Sequence, residues 1–81
     1  MNRGTEGKTP MEAGDVVAVQ VNGAEFSFPA GAVVADMLAK IPHPPVFAVE
    51  VDGAIVPPSK FGGTVLRDGS VVEIVRFVGG G

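Results

Sequence analysis

The stretch Val71-Val72-Glu73-Ile74-Val75-Arg76-Phe77-Val78-Gly79-Gly80-Gly81 decides how the rest of the chain must be arranged. Its first eight residues are rich in β-branched side chains and contain neither Gly nor Pro, which predicts a strand over Val71–Val78. The near-continuous apolar run, Val71-Val72 and Ile74-Val75, suits a strand in the middle of a sheet. The three glycines that follow have no Cβ and little conformational preference, so nothing local holds them in one shape. Extended, they reach roughly 10 Å past the strand at ~3.5 Å per residue. The expectation is a rigid strand presenting a thin, flexible tail, residues 79–81, that ends in a carboxylate. A glycine-rich end is commonly only a frayed terminus. The competing reading is a backbone probe that enters a narrow site on another protein, where any Cβ would clash.

Working back from that strand, Asp68-Gly69 reads as the turn leading into it. Leu66 and Phe61 are the large apolar residues of the preceding loop and are expected to plug the underside of the core. Val46 to Val51 reads as a strand with Phe47, Val49 and Val51 inward and Glu50 outward. Asp52-Gly53 turns it into a short Ile55-Val56 strand that Pro57-Pro58 stops. Val34, Met37, Leu38 and Ile41 are spaced i, i+3, i+4, i+7, the apolar stripe of one short helix. Asp36 and Lys40 stand i, i+4 on its exposed side, and Pro42 ends it. About nine residues are too few for a helix in isolation, so packing must hold it.

Further upstream, Val17, Val19 and Val21 alternate with Val16, Ala18 and Gln20 as in a half-buried strand. Asn22-Gly23 is a strong hairpin signal because both turn positions tolerate positive φ. Ala24 to Phe28 is the return strand, with Phe26 and Phe28 on one face and Glu25 and Ser27 on the other. Residues 1–14 are polar, without apolar periodicity, and are expected to be a disordered leader, with Met11 a candidate original start. Gly7-Lys8-Thr9 has the look of a phosphate-loop ending. The motif requires a glycine where Asn2 stands and a preceding strand, and neither is present.

The order hairpin, helix, strand, short strand, long last strand makes one α+β domain, residues 15–78. A mixed sheet of four to five strands packs on one helix, as in the β-grasp arrangement of ubiquitin. In that arrangement the last strand lies central and parallel to the first.

Eighty-one residues suffice for one domain, which buries only about 60–65% of its unfolded surface. No cysteine is present, which excludes disulfide and thiolate-metal staples and any thiol nucleophile. Apolar residues at 46% and charged residues at 19% fit an ordered domain. The net charge of −3 disfavours nucleic acid and anionic membranes as partners. The absence of Trp and Tyr removes the stacking platforms of single-strand binders. No apolar run reaches membrane-spanning length and no signal-peptide core is present, so a cytoplasmic protein, monomeric when free, is expected. The single His43 lies in a Pro-rich connector with no second ligand at metal spacing, so no metal site is expected.

Three segments together resemble the ThiS family of sulfur carrier proteins of thiamin biosynthesis. They are Val19-Gln20-Val21-Asn22-Gly23, Phe47-Ala48-Val49-Glu50-Val51-Asp52-Gly53-Ala54-Ile55-Val56-Pro57, and Asp68-Gly69-Ser70 running into the final stretch. The resemblance covers roughly Val16 to Gly81. Val33 departs from it, standing where family members often carry a Thr that caps the helix, a loss of about 1 kcal/mol.

A terminal carboxylate is ionised at neutral pH and is a poor electrophile until it is converted to a better leaving group. Ser27, Ser59 and Ser70 lack a nucleophile-elbow setting and His43 makes no triad, so activation must come from a partner. The chain then reads as carrier or co-substrate, not enzyme. The resemblance implies that an E1-like adenylyltransferase of the ThiF type, using ATP and Mg, forms an acyl-adenylate on Gly81. Sulfur from a persulfide donor then gives a thiocarboxylate, and a ThiG-type thiazole synthase accepts it. No cofactor is bound by the carrier itself. Gly79 and Gly80 would be the spacer for entry into both partners. Phe77 and Val78 either end the strand or form an apolar docking anchor beside the tail, and Arg76 is a solvated or partner-facing charge. The alternatives are the small subunit of molybdopterin synthase, a protein-conjugating ubiquitin-like modifier, and an interaction module with an inert tail.

Overall fold

The computed structural model describes residues 15–77; the expected leader (1–14) and residues 78–81, which include the expected tail, lie outside the described residues. Strands β1 (Val16–Val21) and β2 (Ala24–Pro29) form the expected hairpin, with Val21 opposite Ala24. Asn22 and Gly23 between them take φ of 50° and 86°, the mirror-image turn whose twist matches that of the flanking strands. The same device joins β3 (Phe47–Val51) to β4 (Ala54–Val56), where Asp52 and Gly53 take φ of 51° and 88°. Asn and Asp tolerate this left-handed region; a β-branched residue there would be strained.

Between the two hairpins comes α1 (Val34–Lys40), and after β4 a 3-10 turn (Pro58–Lys60) leads through the loop to β5 (Val71–Arg76). The strand order in the sheet is β2-β1-β5-β3-β4. The last strand is therefore central, parallel to β1 through Gln20–Val71 and Val21–Val72 and antiparallel to β3 from Val51–Val72 to Phe47–Arg76.

The helix packs on one face of this sheet. Val34 and Met37 are completely buried, and they meet Val19, Val49, Leu66 and Val72 in a single core. Leu38, Ile41 and Phe61 are partly buried against it, so the apolar stripe and the loop plug lie where their spacing puts them. Ile41 leaves the helix at φ −112°, ψ 124°, the extended conformation that a following proline imposes.

Val33 is the residue preceding the helix, as the resemblance implies. Valine has no side-chain oxygen, so it cannot accept from the first-turn amides. Other groups take over. Asp36 Oδ2 accepts from the Val33 N–H at 2.9 Å. The N–H groups of Val34 and Ala35 donate to the carbonyls of Thr64 and Phe61, both at 3.0 Å. The loop after β4 thus acts as the cap.

Two expectations require correction. The regular strand ends at Arg76, not Val78: Phe77 lies beyond it, with its N–H 3.5 Å from the Val46 carbonyl as a last long contact. The apolar run of β5 is not buried throughout, for Val72 and Ile74 are buried while Val71 and Val75 are 44% and 41% exposed. Among the described residues only one sheet face carries a helix, so alternate side chains of even the central strand meet solvent. Phe26, on the edge strand β2, shares the inner face with Phe28 yet stays 37% exposed, because it lies at the margin of the sheet.

Candidate functional site

The candidate site is the C-terminal end of β5 and what supports it. Of the residues predicted to act, Phe77 is described and is 61% exposed; Val78, Gly79, Gly80 and Gly81 lie outside the described residues. Arg76 is exposed and stands opposite Phe47 in the register with β3. An apolar ring left in water at the end of a strand is what a docking anchor requires.

The surface around that strand end is the helix-free face of the sheet. The register places Glu73 of β5 directly opposite Glu50 of β3, with Ile55 of β4 in the same row. Val75 stands opposite Ala48 in the next row toward the C-terminus. Ile55, Val75 and Phe77 are exposed. On this side of the face, exposed apolar side chains thus flank a pair of carboxylates, which costs stability by like-charge repulsion.

By their sequence context Asn22 and Asp52 are turn formers only. Both also reach β5. Asp52 Oδ1 accepts from the Val71 N–H at 2.8 Å, and the Asp52 N–H donates to the Val71 carbonyl at 2.7 Å. Asn22 Oδ1 accepts from the Ile74 N–H at 2.6 Å, and its Nδ2 donates to the Ile74 carbonyl at 3.1 Å. The signal in the sequence was the choice of Asn at one turn and Asp at the other, which turn propensity alone does not distinguish.

His43 is exposed, its ring centroid 4.5 Å from that of Phe47 and its Nδ1 3.2 Å from the Pro44 carbonyl. Among the described residues no group of three His, Cys, Asp or Glu is placed to hold a metal ion. No described helix is long and apolar enough to cross a membrane.

A five-stranded mixed sheet packed on a single helix, with its C-terminal strand in the centre, defines a ubiquitin-like β-grasp protein. The ThiS family model matches residues 18–81, glycine end included, and the chain belongs to that family, the small sulfur carriers of thiamin biosynthesis. The crystal structure of the thiamine biosynthesis protein ThiS from Geobacter metallireducens is similar. It is 28% identical with a TM-score of 0.69, the match covering 80% of this chain and 100% of that one. No curated protein matches the sequence significantly. Membership makes the chain a sulfur carrier rather than a catalyst.

Proposed function

We propose that Gly81 is the reactive residue and that its carboxylate is converted to a thiocarboxylate that donates sulfur to thiazole formation. A carboxylate oxygen attacks the α-phosphorus of ATP bound with Mg on an E1-like adenylyltransferase of the ThiF type, and pyrophosphate leaves. Persulfide sulfur attacks the resulting acyl-adenylate and displaces AMP. A second thiol then cleaves the S–S bond, leaving sulfur on Gly81. A ThiG-type synthase takes that sulfur into the ring. All of this occurs in the cytoplasm, and the carrier binds no cofactor of its own.

The observation that carries the reading is the combination at one end of one strand. The family match runs to Gly81 through a stretch whose last three residues are glycine. That stretch begins in the central strand of the sheet. Gly79 and Gly80 let the chain enter a cleft too narrow for side chains, while Phe77 and Val78 anchor the root. The absence of cysteine leaves no internal thiol to attack the acyl-adenylate.

Intact-mass spectrometry tests it. Incubation with ATP, Mg, a sulfur donor and the adenylating enzyme is expected to exchange one terminal oxygen for sulfur. An unchanged mass would sink the carrier reading, and adducts on lysines of other proteins would support a modifier instead. Complementation of a thiazole-requiring strain, but not of a molybdopterin-requiring one, separates the two acceptors.

A further inference from the structure

Strand β1 stops before β5 does. Its ladder to β5 runs through the Gln20 N–H to the Ser70 carbonyl and the Asn22 N–H to the Val72 carbonyl, both at 2.9 Å. The next pair of groups on that side of β5 belongs to Ile74, but the chain has already turned back at Gly23. The Asn22 side chain fills the gap: its amide presents one acceptor and one donor to Ile74, the two groups that a further strand residue would have supplied.

The other hairpin shows that this pairing depends on the amide. At Val71 the donor comes from the Asp52 backbone and only the acceptor from its carboxylate. At Ile74 both groups come from a single side chain. An ionised Asp cannot donate, so it would leave the Ile74 carbonyl facing a carboxylate. Turn geometry would accept Asp, Asn or Gly at position 22; only Asn satisfies Ile74 as well.

We propose that Asn22 is a positioning residue for the reactive tail, its amide serving as the last rung on the β1 side of β5 and so fixing where the tail begins. This rests on the carrier reading. Beyond Ile74, β5 is paired on the β3 side alone. Without the Asn22 rung the end of β5 frays on its open side and must be ordered again on entry. The docking surface, which lies on other residues, is untouched. Fewer bound complexes then hold the carboxylate in attacking position.

Asn22→Gly, which keeps the turn, is compared with Asp52→Gly, which removes the side-chain bond to Val71 and also keeps its turn. Hydrogen exchange and steady-state kinetics of sulfur loading, with the carrier as varied substrate, are the readouts. Asn22→Gly is expected to speed exchange of the Ile74 amide at least tenfold while Val19 and Val49 stay protected, and to lower kcat about tenfold with KM within about twofold. Asp52→Gly is expected to leave kcat unchanged. Should Asn22→Gly unfold the domain, Asn22→Asp, which keeps the turn and the acceptor for the Ile74 N–H but loses the donor to its carbonyl, carries the kinetic arm, with kcat again expected to fall at unchanged KM. Equal kcat for Asn22→Gly and the native chain, equal losses in both glycine variants, or a rise in KM alone would each overturn the proposal. A native chain that takes up no sulfur would instead overturn the carrier reading, and this inference with it.

Discussion

Val33 illustrates how a single residue is valued by its surroundings. Judged by its sequence, a missing hydroxyl at the helix start costs about 1 kcal/mol. In the fold, the first-turn amides that such a hydroxyl would serve are already engaged by Phe61, Thr64 and the Val33 carbonyl itself. Val33→Thr is therefore expected to raise stability by no more than about 0.5 kcal/mol, the low end of the capping range. Urea titration measures it as a small shift of midpoint at constant slope. A gain above about 1 kcal/mol would mean that the loop carbonyls are poor substitutes for a side-chain cap. Asn22 is the opposite case: a residue that the sequence explains fully as a turn former has a second set of bonds fifty-two positions away. Such long-range side-chain bonds leave no local periodicity, and only the observed register reveals them.

At the scale of elements, both hairpins, the helix and the central place of β5 were legible because apolar spacing and turn chemistry agreed at every step. What was not legible was which face of the sheet would stay open. Apolar runs such as Val71-Val72 look the same whether one or both faces are covered, and the answer depends on how many helices exist to cover them. The end of β5 was overestimated for a related reason. Phe77 and Val78 have high strand propensity, but the partner side of the ladder gives out near Phe47. Of the candidate site, the sequence names Phe77 and the glycines, of which only Phe77 lies among the described residues, while the Glu50–Glu73 pairing is not legible there, since it depends on a register between segments far apart in the chain. That pair makes its own prediction. Glu73→Lys replaces repulsion across β3 and β5 with attraction and is expected to stabilise the domain by about 0.5–1 kcal/mol at low salt. The gain should shrink as salt screens the pair. Denaturant melts at two ionic strengths check this; destabilisation, or a gain indifferent to salt, would show that the two carboxylates do not face each other.

For the whole molecule, the carrier reading divides the labour between a body that must be rigid and a terminus that must be thin and chemically bare. The body supplies a platform: five strands, one helix and a core centred on Met37, Leu66 and Val72. The terminus supplies the only group the carrier reading requires to react. These two roles predict separable defects. Adding one alanine after Gly81 moves the carboxylate ~3.5 Å along an extended chain and puts a Cβ where the partner's channel accepts none. Sulfur loading is expected to fall below detection by intact mass, while the thermal midpoint stays within about 1 °C of the native chain, because changes at a chain terminus generally carry little stability. Gly80→Val keeps the length of the stalk but thickens it, which holds the carboxylate short of its reacting position, and is expected to lower kcat/KM at least a hundredfold, as for a reacting group displaced by about an ångström. If the lengthened chain is loaded with sulfur as readily as the native one, the partner's site does not measure the reach of the stalk. If only Gly80→Val retains activity, the site reads the position of the carboxylate and tolerates side chains along the way.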